Sequence, residues 1–191
     1  MTPAPVDHDE RRAWLTGVLL RVVDEHGLEG ASIRAVAAAA GVSIGTVQHY
    51  FPTKDDLLRH AYRHSEAAIE ARIERRLQGV TSPRAALRGI VLEFLPLDAE
   101  RTFAIRVATA FAVRALYEPA LEREFGADLR ELRDIVADLL GRAGVPDPRR
   151  EAIALIALTD GLTDQLLFRS GGVTPDEAVA VLDAHLARLL D

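Results

Sequence analysis

The sequence contains no cysteine and no long apolar run, although 49% of its 191 residues are hydrophobic. Without cysteine the chain forms neither disulfides nor a thiolate metal site, which suits a reducing compartment. The chain has no stretch of about 18 apolar residues, so we expect no membrane span. The first residues lack the apolar segment of a signal peptide. We therefore expect a cytoplasmic protein.

Positive charge is also scarce. The chain carries 23 Lys and Arg against 29 Asp and Glu, a net charge of −6. Residues 1–58 alone hold five basic and eight acidic side chains. Such a balance argues against a general affinity for nucleic acids, because that affinity depends on an excess of positive charge. Any binding to DNA must rest on a few well-placed contacts.

No segment shows the alternating pattern of a strand. Apolar residues instead recur at spacings of three and four, which indicates an all-α fold of about nine helices. Helix starts are marked where a capping residue precedes proline, at Ser82, Asp147 and Thr174. The spacing predicts a long helix from Lys54 to about Leu77.

The segment Ser32 to Leu58 has the layout of a helix-turn-helix. Ser32 is placed to cap a short helix, and Gly41 suits the left-handed position just past its end. Ser43 is placed to cap a second short helix, which runs to about Tyr50 and of which Ile44 and Val47 face inward. A second helix of this kind can enter the major groove of DNA.

The third helix of this segment has a well-marked start. Thr53 and Asp56 form a capping box with Asp in place of the usual Glu. Lys54, the only lysine of the chain, lies at the N-terminus of this helix, where the helix dipole disfavours a positive side chain. A bound phosphate would reverse that effect, because helix N-termini bind anions readily.

About 50 residues resemble the DNA-binding domain of TetR-family transcriptional regulators, through the sequence Ala-Gly-Val-Ser at 40–43, Gly45-Thr46, Tyr50-Phe51, Lys54 and Leu57-Leu58. The resemblance implies a three-helix DNA-binding domain at residues 9–53 and a helical effector-binding and dimerisation domain at 54–191. The residues expected at DNA are Ser32, Arg34, Ser43, Gly45, Thr46, Gln48, His49, Tyr50 and Lys54.

Two of these positions leave alternatives open. Tyr50 suits a core position as well as a DNA contact, and His49 suits a solvated surface. Gln48 stands where the family more often has an aromatic residue. Glutamine can pair with adenine through two hydrogen bonds, so the base preference is expected to differ from that of relatives.

Aromatic and polar side chains among the later helices predict an effector pocket, because ligand sites combine apolar walls with few polar groups. The candidate residues are Phe94, Phe103, Arg106, Phe111, Tyr117, Asp160, Gln165 and Phe168. Arg106 suits either a pair with Asp160 or an anionic ligand. Each of these side chains also suits an ordinary core or hydrogen-bonding role.

The last two predicted helices carry apolar stripes that are broader than a small core requires, which predicts a dimer surface. Its candidate residues are Ile153, Ile156, Leu162, Leu166, Val181, Leu182, His185 and Leu189. The resemblance supports this interpretation, since such regulators pair these helices between subunits, and the tail resembles the BetI-related branch. The alternative is that the stripes close the core of a single subunit.

No nucleophile and base pair, carboxylate pair or cofactor motif is evident, so we expect neither an enzyme nor a cofactor. His60 and His64 have the spacing of two metal ligands but lack a third, which indicates a solvated face. The sequence thus predicts a homodimeric DNA-binding regulator, a repressor released from a palindromic operator by a small molecule. The alternatives are an activator, a ligand-independent regulator, or an all-α carrier or enzyme.

Overall fold

The computed structural model describes residues 8–169 and 171–190, and these residues form nine α-helices without strands. The helices are α1 (His8–Gly30), α2 (Ile33–Ala40), α3 (Ile44–Tyr50), α4 (Lys54–Leu77), α5 (Pro83–Glu93), α6 (Ala99–Ala115), α7 (Pro119–Arg142), α8 (Pro148–Leu167) and α9 (Pro175–Leu190). The predicted all-α fold is confirmed. Within these ranges no helix is both long and apolar enough to cross a membrane.

The chain divides into two compact units, residues 1–65 and 66–191. The division falls inside α4, so this helix contributes residues to both units. A functional boundary between residues 53 and 54 therefore stays a prediction.

The helix-turn-helix is built by local capping. The Ser32 hydroxyl accepts a hydrogen bond from the Ala35 amide at 3.1 Å, which satisfies one of the free amides at the start of α2. Gly41 ends α2 in the left-handed conformation, with φ 65°, which glycine adopts without steric cost. Ser43 then caps α3 by accepting from the Thr46 amide at 3.0 Å. These contacts fix the direction in which α3 leaves the turn.

The core of residues 1–65 is made from one face of each helix. Its fully buried side chains include Leu15, Leu19, Val36, Val47, Phe51, Leu57 and Tyr62. Ile44 does not belong to this core, contrary to the prediction, because its side chain is 44% exposed. It occupies the first position of α3, one turn before Val47, beyond the end of the packed face.

The core of residues 66–191 lies between α5, α7, α8 and α9. Its buried side chains include Leu87, Ile90, Leu95, Val136, Leu140, Leu155, Leu182 and Leu186. The helix starts predicted from sequence are confirmed: Ser82 caps α5, Asp147 caps α8, and Thr174 forms a reciprocal capping box with Glu177. The Asp98 carboxylate caps α6 by accepting from the Arg101 amide.

A carboxylate is buried inside this second unit. Glu93, at the end of α5, is 1% exposed, and its Oε2 accepts a hydrogen bond from Arg72 of α4 at 2.8 Å. Its Oε1 lies 2.7 Å from Arg76, one turn further along α4. Arg72 also donates to Glu100 of α6 at 2.8 Å. Burial disfavours the charge of Arg72, but these hydrogen bonds outweigh it and raise the pKa of the guanidinium above its usual value.

We expect Glu93→Gln to lower the free energy of unfolding by about 3 kcal/mol or more, because it leaves a half-buried arginine without its full counter-charge. Chemical denaturation followed by circular dichroism measures this change. Asp138→Asn is the matched control, since Asp138 faces Arg142 at 3.7 Å with both side chains exposed, and its loss is expected to cost less than about 1 kcal/mol. Equal effects of the two variants would contradict a structural role for Glu93.

Candidate functional site

The helix predicted to read DNA is short and presents polar side chains to solvent. Gln48 and His49 are exposed on α3, whereas Val47 is fully buried beneath them. The hydroxyls of Ser43 and Thr46 lie 2.8 Å apart at the start of the helix. The start and the outer face of α3 therefore offer hydroxyl, amide and imidazole groups, all of which can donate or accept hydrogen bonds.

An aromatic cluster lies at the end of this helix. The ring of Tyr50 is 5.1 Å from that of His49, and the His8 ring of α1 lies 4.6 Å from Tyr50 and 5.5 Å from His49. Tyr50 is half-buried, so it is neither a core residue nor a fully free side chain. Sequence reasoning missed His8, because nothing local indicates that the start of α1 meets the end of α3.

The start of α4 has the predicted geometry. The Thr53 hydroxyl accepts from the Asp56 amide at 3.1 Å, and the Asp56 carboxylate accepts from the Thr53 amide at 3.1 Å, which confirms the capping box. Lys54 is the first residue of the helix and is half-buried. The first turn also carries Asp55 and Asp56, so the lysine lies in a mixed environment.

Two further residues predicted at DNA lie on α2 or next to it. Arg34 is exposed in the first turn of α2. Ser32 is half-buried, and its hydroxyl is engaged in capping. A role of Ser32 at DNA stays a prediction, because the structure already gives this side chain an intramolecular partner.

Gly45 has no packing reason to be glycine. A β-carbon built on it would meet only the Ser43 Oγ, at 3.8 Å, which is ordinary van der Waals contact. Its backbone is also not in the left-handed region, unlike that of Gly41. Because neither space nor conformation requires glycine there, the missing side chain leaves the outer face of α3 open to a close partner.

The effector residues predicted from sequence are brought together only in part. Phe94, directly after α5, and Asp160 of α8 both line a small cavity within the second unit, of about 10 Å³, which is room for roughly one water molecule. Ile90, Leu132, Val136 and Thr159 contribute to its walls. Partial burial raises the pKa of Asp160, and the nearby Asp164 carboxylate adds to the effect.

The other candidate pocket residues lie apart from this cavity. Phe111 is fully buried beside Phe125, whereas Tyr117 and Phe168 are 76% and 64% exposed. Arg106 is exposed, and no described carboxylate lies within ion-pair distance of it, so the predicted pair with Asp160 is absent. Phe103 and Gln165 are half-buried outside the cavity lining, and Gln165 donates to the Gly161 carbonyl at 3.3 Å.

The residues predicted for a dimer surface divide into two sets. Leu162 and Leu182 are 6% and 0% exposed and lie in the core of their own unit, which corrects the prediction for these two. Leu162 of α8 and Leu182 of α9 lie on the faces of these helices that pack into the core of the second unit, where α9 contacts both α5 and α8. The remaining members keep open surface: Ile153 and Val181 are 51% and 44% exposed, and Ile156, Leu166, His185 and Leu189 are half-buried.

Among the described residues, no three histidine or acidic side chains gather in a way that could hold a metal ion. His60 and His64 lie on α4 beside Arg12 and Thr16 of α1, and together with Ala13 they line an open cleft. The pair therefore has a cationic neighbour instead of a third ligand.

Comparison with known proteins gives matches along most of the chain. Residues 18–61 match a family model described as bacterial regulatory proteins, tetR family, and residues 83–191 match one described as BetI-type transcriptional repressor, C-terminal. The regulator PksA of Bacillus subtilis (strain 168) is 30% identical over 190 residues, which cover 96% of this chain and 92% of PksA. BetI of Burkholderia thailandensis is 35% identical over 182 residues, covering 94% and 93%.

A solved structure is similar over the same length. A transcriptional regulator from Rhodococcus sp. Rha1 is 35% identical, has a TM-score of 0.84, and is matched over 96% of both chains. The proteins named here are described as transcriptional regulators. The similarity spans both compact units and is not confined to the helix-turn-helix.

We expect Gly45→Ala to weaken binding to DNA while the fold keeps or gains stability. Alanine is favoured over glycine in a helix by up to about 1 kcal/mol, and nothing in the chain obstructs its β-carbon. Thermal unfolding and a DNA titration on the same sample measure the two effects. A variant that binds DNA as tightly as the parent would contradict a close approach at Gly45.

Gly17→Ala is the matched control. A β-carbon at Gly17 of α1 also meets nothing within 4 Å, and Gly17 is not among the residues predicted to face DNA. This variant is expected to keep or gain stability, as Gly45→Ala does, and to keep the DNA affinity of the parent.

Proposed function

Since the chain belongs to the TetR family of DNA-binding transcriptional regulators, we propose that it is a homodimeric repressor released from a palindromic operator by a small-molecule effector. The observation that carries the proposal is the capped α2–Gly41–α3 arrangement with Gln48 and His49 exposed on α3. The predicted resemblance to this family and to its BetI-related branch is confirmed.

At DNA, α3 enters a major groove and its exposed side chains contact base edges. Gln48 is suited to adenine, whose major-groove edge pairs with a carboxamide through two hydrogen bonds. The ring cluster of His8, His49 and Tyr50 limits the freedom of the last turn of α3, which supports a fixed approach to the groove. Lys54 contacts a backbone phosphate from the N-terminus of α4.

Two copies associate through the outer faces of α8 and α9. Ile153 and Val181 are large apolar side chains left open on these helices. His185 lies one turn after Val181 on α9 and is half-buried, so its open part belongs to the same surface. A two-fold pair of α3 helices then reads two half-sites of a palindrome.

The effector enters the cavity between Phe94 and Asp160. In the present conformation this cavity is far below the roughly 300 Å³ of a ligand pocket, so binding must move its walls. Asp160 keeps an exposed surface, but partial burial of its carboxylate and the nearby Asp164 raise its pKa, and an organic cation would relieve that cost. The acidic side chain in the cavity wall therefore favours a cationic effector over an anionic one.

A residue of the cavity wall is the sequence neighbour of the carboxylate that forms the buried ion pairs with α4. Phe94 directly follows Glu93, which holds Arg72 and Arg76, and the Phe94 carbonyl accepts from Thr163 of α8 at 2.6 Å. Movement of Phe94 thus strains the ion pairs between Glu93 and α4. Helix α4 directly follows the DNA-binding helices α2 and α3 in the chain. An allosteric coupling of about 1–3 kcal/mol changes DNA affinity about 5- to 150-fold.

Regulation of transcription, without catalysis and in the cytoplasm, is the activity we propose for the whole chain. No histidine lines the described part of the cavity, and the hydroxyl of Thr159 donates to the Leu155 carbonyl at 2.9 Å, not to Asp160. An activator that uses the same operator contacts is the second candidate. The DNA contacts do not distinguish it from a repressor, because both activities start from the same complex.

The DNA-binding role is tested by gel shift and by salt titration on a duplex taken from upstream of the protein's own coding sequence. We expect specific binding with a steep dependence on salt. Lys54→Ala should flatten the slope of log affinity against log salt by about one unit, as the loss of one phosphate contact requires. Addition of organic cations should weaken the complex of a repressor.

Arg75→Ala provides the control for that slope. Arg75 is an exposed basic residue near the other end of α4, and its replacement should leave the slope unchanged. An unchanged slope for Lys54→Ala would remove its phosphate role, and an absence of any specific shift would count against the DNA-binding proposal itself.

The dimer is tested by replacing its exposed apolar residues with charge. We expect Ile153→Asp together with Val181→Asp to convert a dimer into monomers at micromolar concentration, because charges are strongly disfavoured at the centre of an apolar interface. Sedimentation velocity measures the change. Leu116→Asp, at a position 76% exposed outside the proposed surface, should leave the dimer intact, and a monomeric parent protein would contradict the proposal.

A further inference from the structure

Three basic groups converge in the first unit at a place the proposed DNA contacts do not use. The cleft between α1 and α4, hereafter the α1–α4 cleft, is lined by Arg12, Ala13, Thr16, His60 and His64 and has a volume of about 270 Å³. Arg12 and Thr16 are four residues apart on α1, and so are the two histidines on α4. This spacing places each pair on one face of its helix.

The described residues give the α1–α4 cleft no counter-charge. No acidic residue lines it, and among the described residues no carboxylate forms an ion pair with Arg12, His60 or His64. Elsewhere on α4, Arg59 pairs with Asp56 at 3.1 Å, and Arg72 pairs with Glu93. The cleft thus brings three basic side chains together without a described carboxylate, in a chain with a net charge of −6.

The three groups also act unfavourably on one another. The pKa of His60 is lowered, chiefly by burial and then by the charges of Arg12 from α1 and His64 from α4. His60 also contacts the uncharged Phe51 ring after α3, at 5.1 Å between ring centroids. A bound anion would replace this repulsion with attraction, so it would favour the charged imidazole.

We infer that the α1–α4 cleft binds a phosphate group through Arg12, His60 and His64. The planar guanidinium of Arg12 presents paired N–H donors that match phosphate oxygens, and each imidazole adds at least one donor. Thr16 forms part of the cleft wall but offers no hydrogen-bond donor, since its hydroxyl already donates to the Arg12 carbonyl at 2.9 Å. A metal ion does not fit, because the cleft offers two ligands and a permanent positive charge.

The position of Arg12 on α1 makes the DNA backbone of the operator one source of the phosphate group. His8 lies one turn before Arg12 on the same face of α1 and contacts His49 and Tyr50 of α3. The second source is a free phosphorylated molecule. The site itself does not depend on operator binding, whereas its use by backbone phosphate rests on the function proposed above.

Sulfate is the probe for the site, because it has the shape and charge of a phosphate dianion and does not itself titrate in the range of histidine, about pH 5 to 8. The full chain is titrated with sulfate at constant ionic strength while the imidazole signals are followed by NMR. We expect sulfate to raise the pKa of His60. Its affinity should therefore increase as pH falls, since the anion prefers the protonated ring and the empty cleft disfavours it.

Arg12→Gln is the main variant, because Arg12 is exposed and no described acidic side chain pairs with it, so the fold should tolerate the change. We expect it to weaken sulfate binding about tenfold or more, the loss typical of a charge-assisted hydrogen bond. Arg21→Gln, at an exposed position of the same helix, should have no effect. His26, exposed on α1 outside the cleft, is the internal control whose imidazole signals should not respond to sulfate.

A second arm identifies the source of the phosphate. If the operator backbone supplies it, Arg12→Gln should flatten the salt slope of DNA binding by about one unit relative to Arg21→Gln. An unchanged slope together with sulfate binding assigns the cleft to a free phosphorylated molecule. The inference is overturned if sulfate leaves the His60 titration of the parent protein unmoved, whatever the protein does with DNA.

Discussion

The burial of Glu93 is the interaction on which the second unit depends. A carboxylate that is 1% exposed is stable in its charged form only if cations are held against it, and here both cations come from the last turns of α4. Packing of α5 into the core therefore dictates where α4 lies within this unit. The same constraint places a charged anchor next to Phe94 and the cavity.

Ion pairs also engage basic groups elsewhere in the second unit. Arg72, Arg88 and Arg101 each pair with a carboxylate. The basic groups that line the α1–α4 cleft, in the first unit, have no acidic partner among the described residues. In the second unit these charges stabilise the packing of helices, whereas in the cleft they stay available to an anion.

Much of the fold could be predicted because helix ends are encoded locally. Ser43 and Thr46, or Thr174 and Glu177, are three residues apart, so the hydrogen bonds that start α3 and α9 are visible in the sequence. The left-handed φ of Gly41 follows from its residue type in the same way. The family could be recognised for the same reason, since its pattern falls within one continuous segment.

Contacts between distant parts of the chain could not be predicted. Arg88 and Asp183 pair at 2.6 Å across 95 residues, and His8 reaches the end of α3. An apolar stripe alone also does not tell which residues face the subunit's own core. Leu182 and Val181 are neighbours in sequence, yet the first is fully buried and the second is 44% exposed. For the same reason the predicted effector residues lie apart in the structure, since an aromatic side chain suits a core as well as a pocket.

Lys54 is the only lysine side chain among 23 basic residues, and it begins the helix that joins both units. Acylation of lysine removes its charge and leaves arginine untouched. Any acyl donor that reacts with lysine ε-amino groups therefore finds one such target in this chain, at the end of α4 nearest to the recognition helix. The composition thus confines lysine acylation to the residue on which the proposed phosphate contact depends.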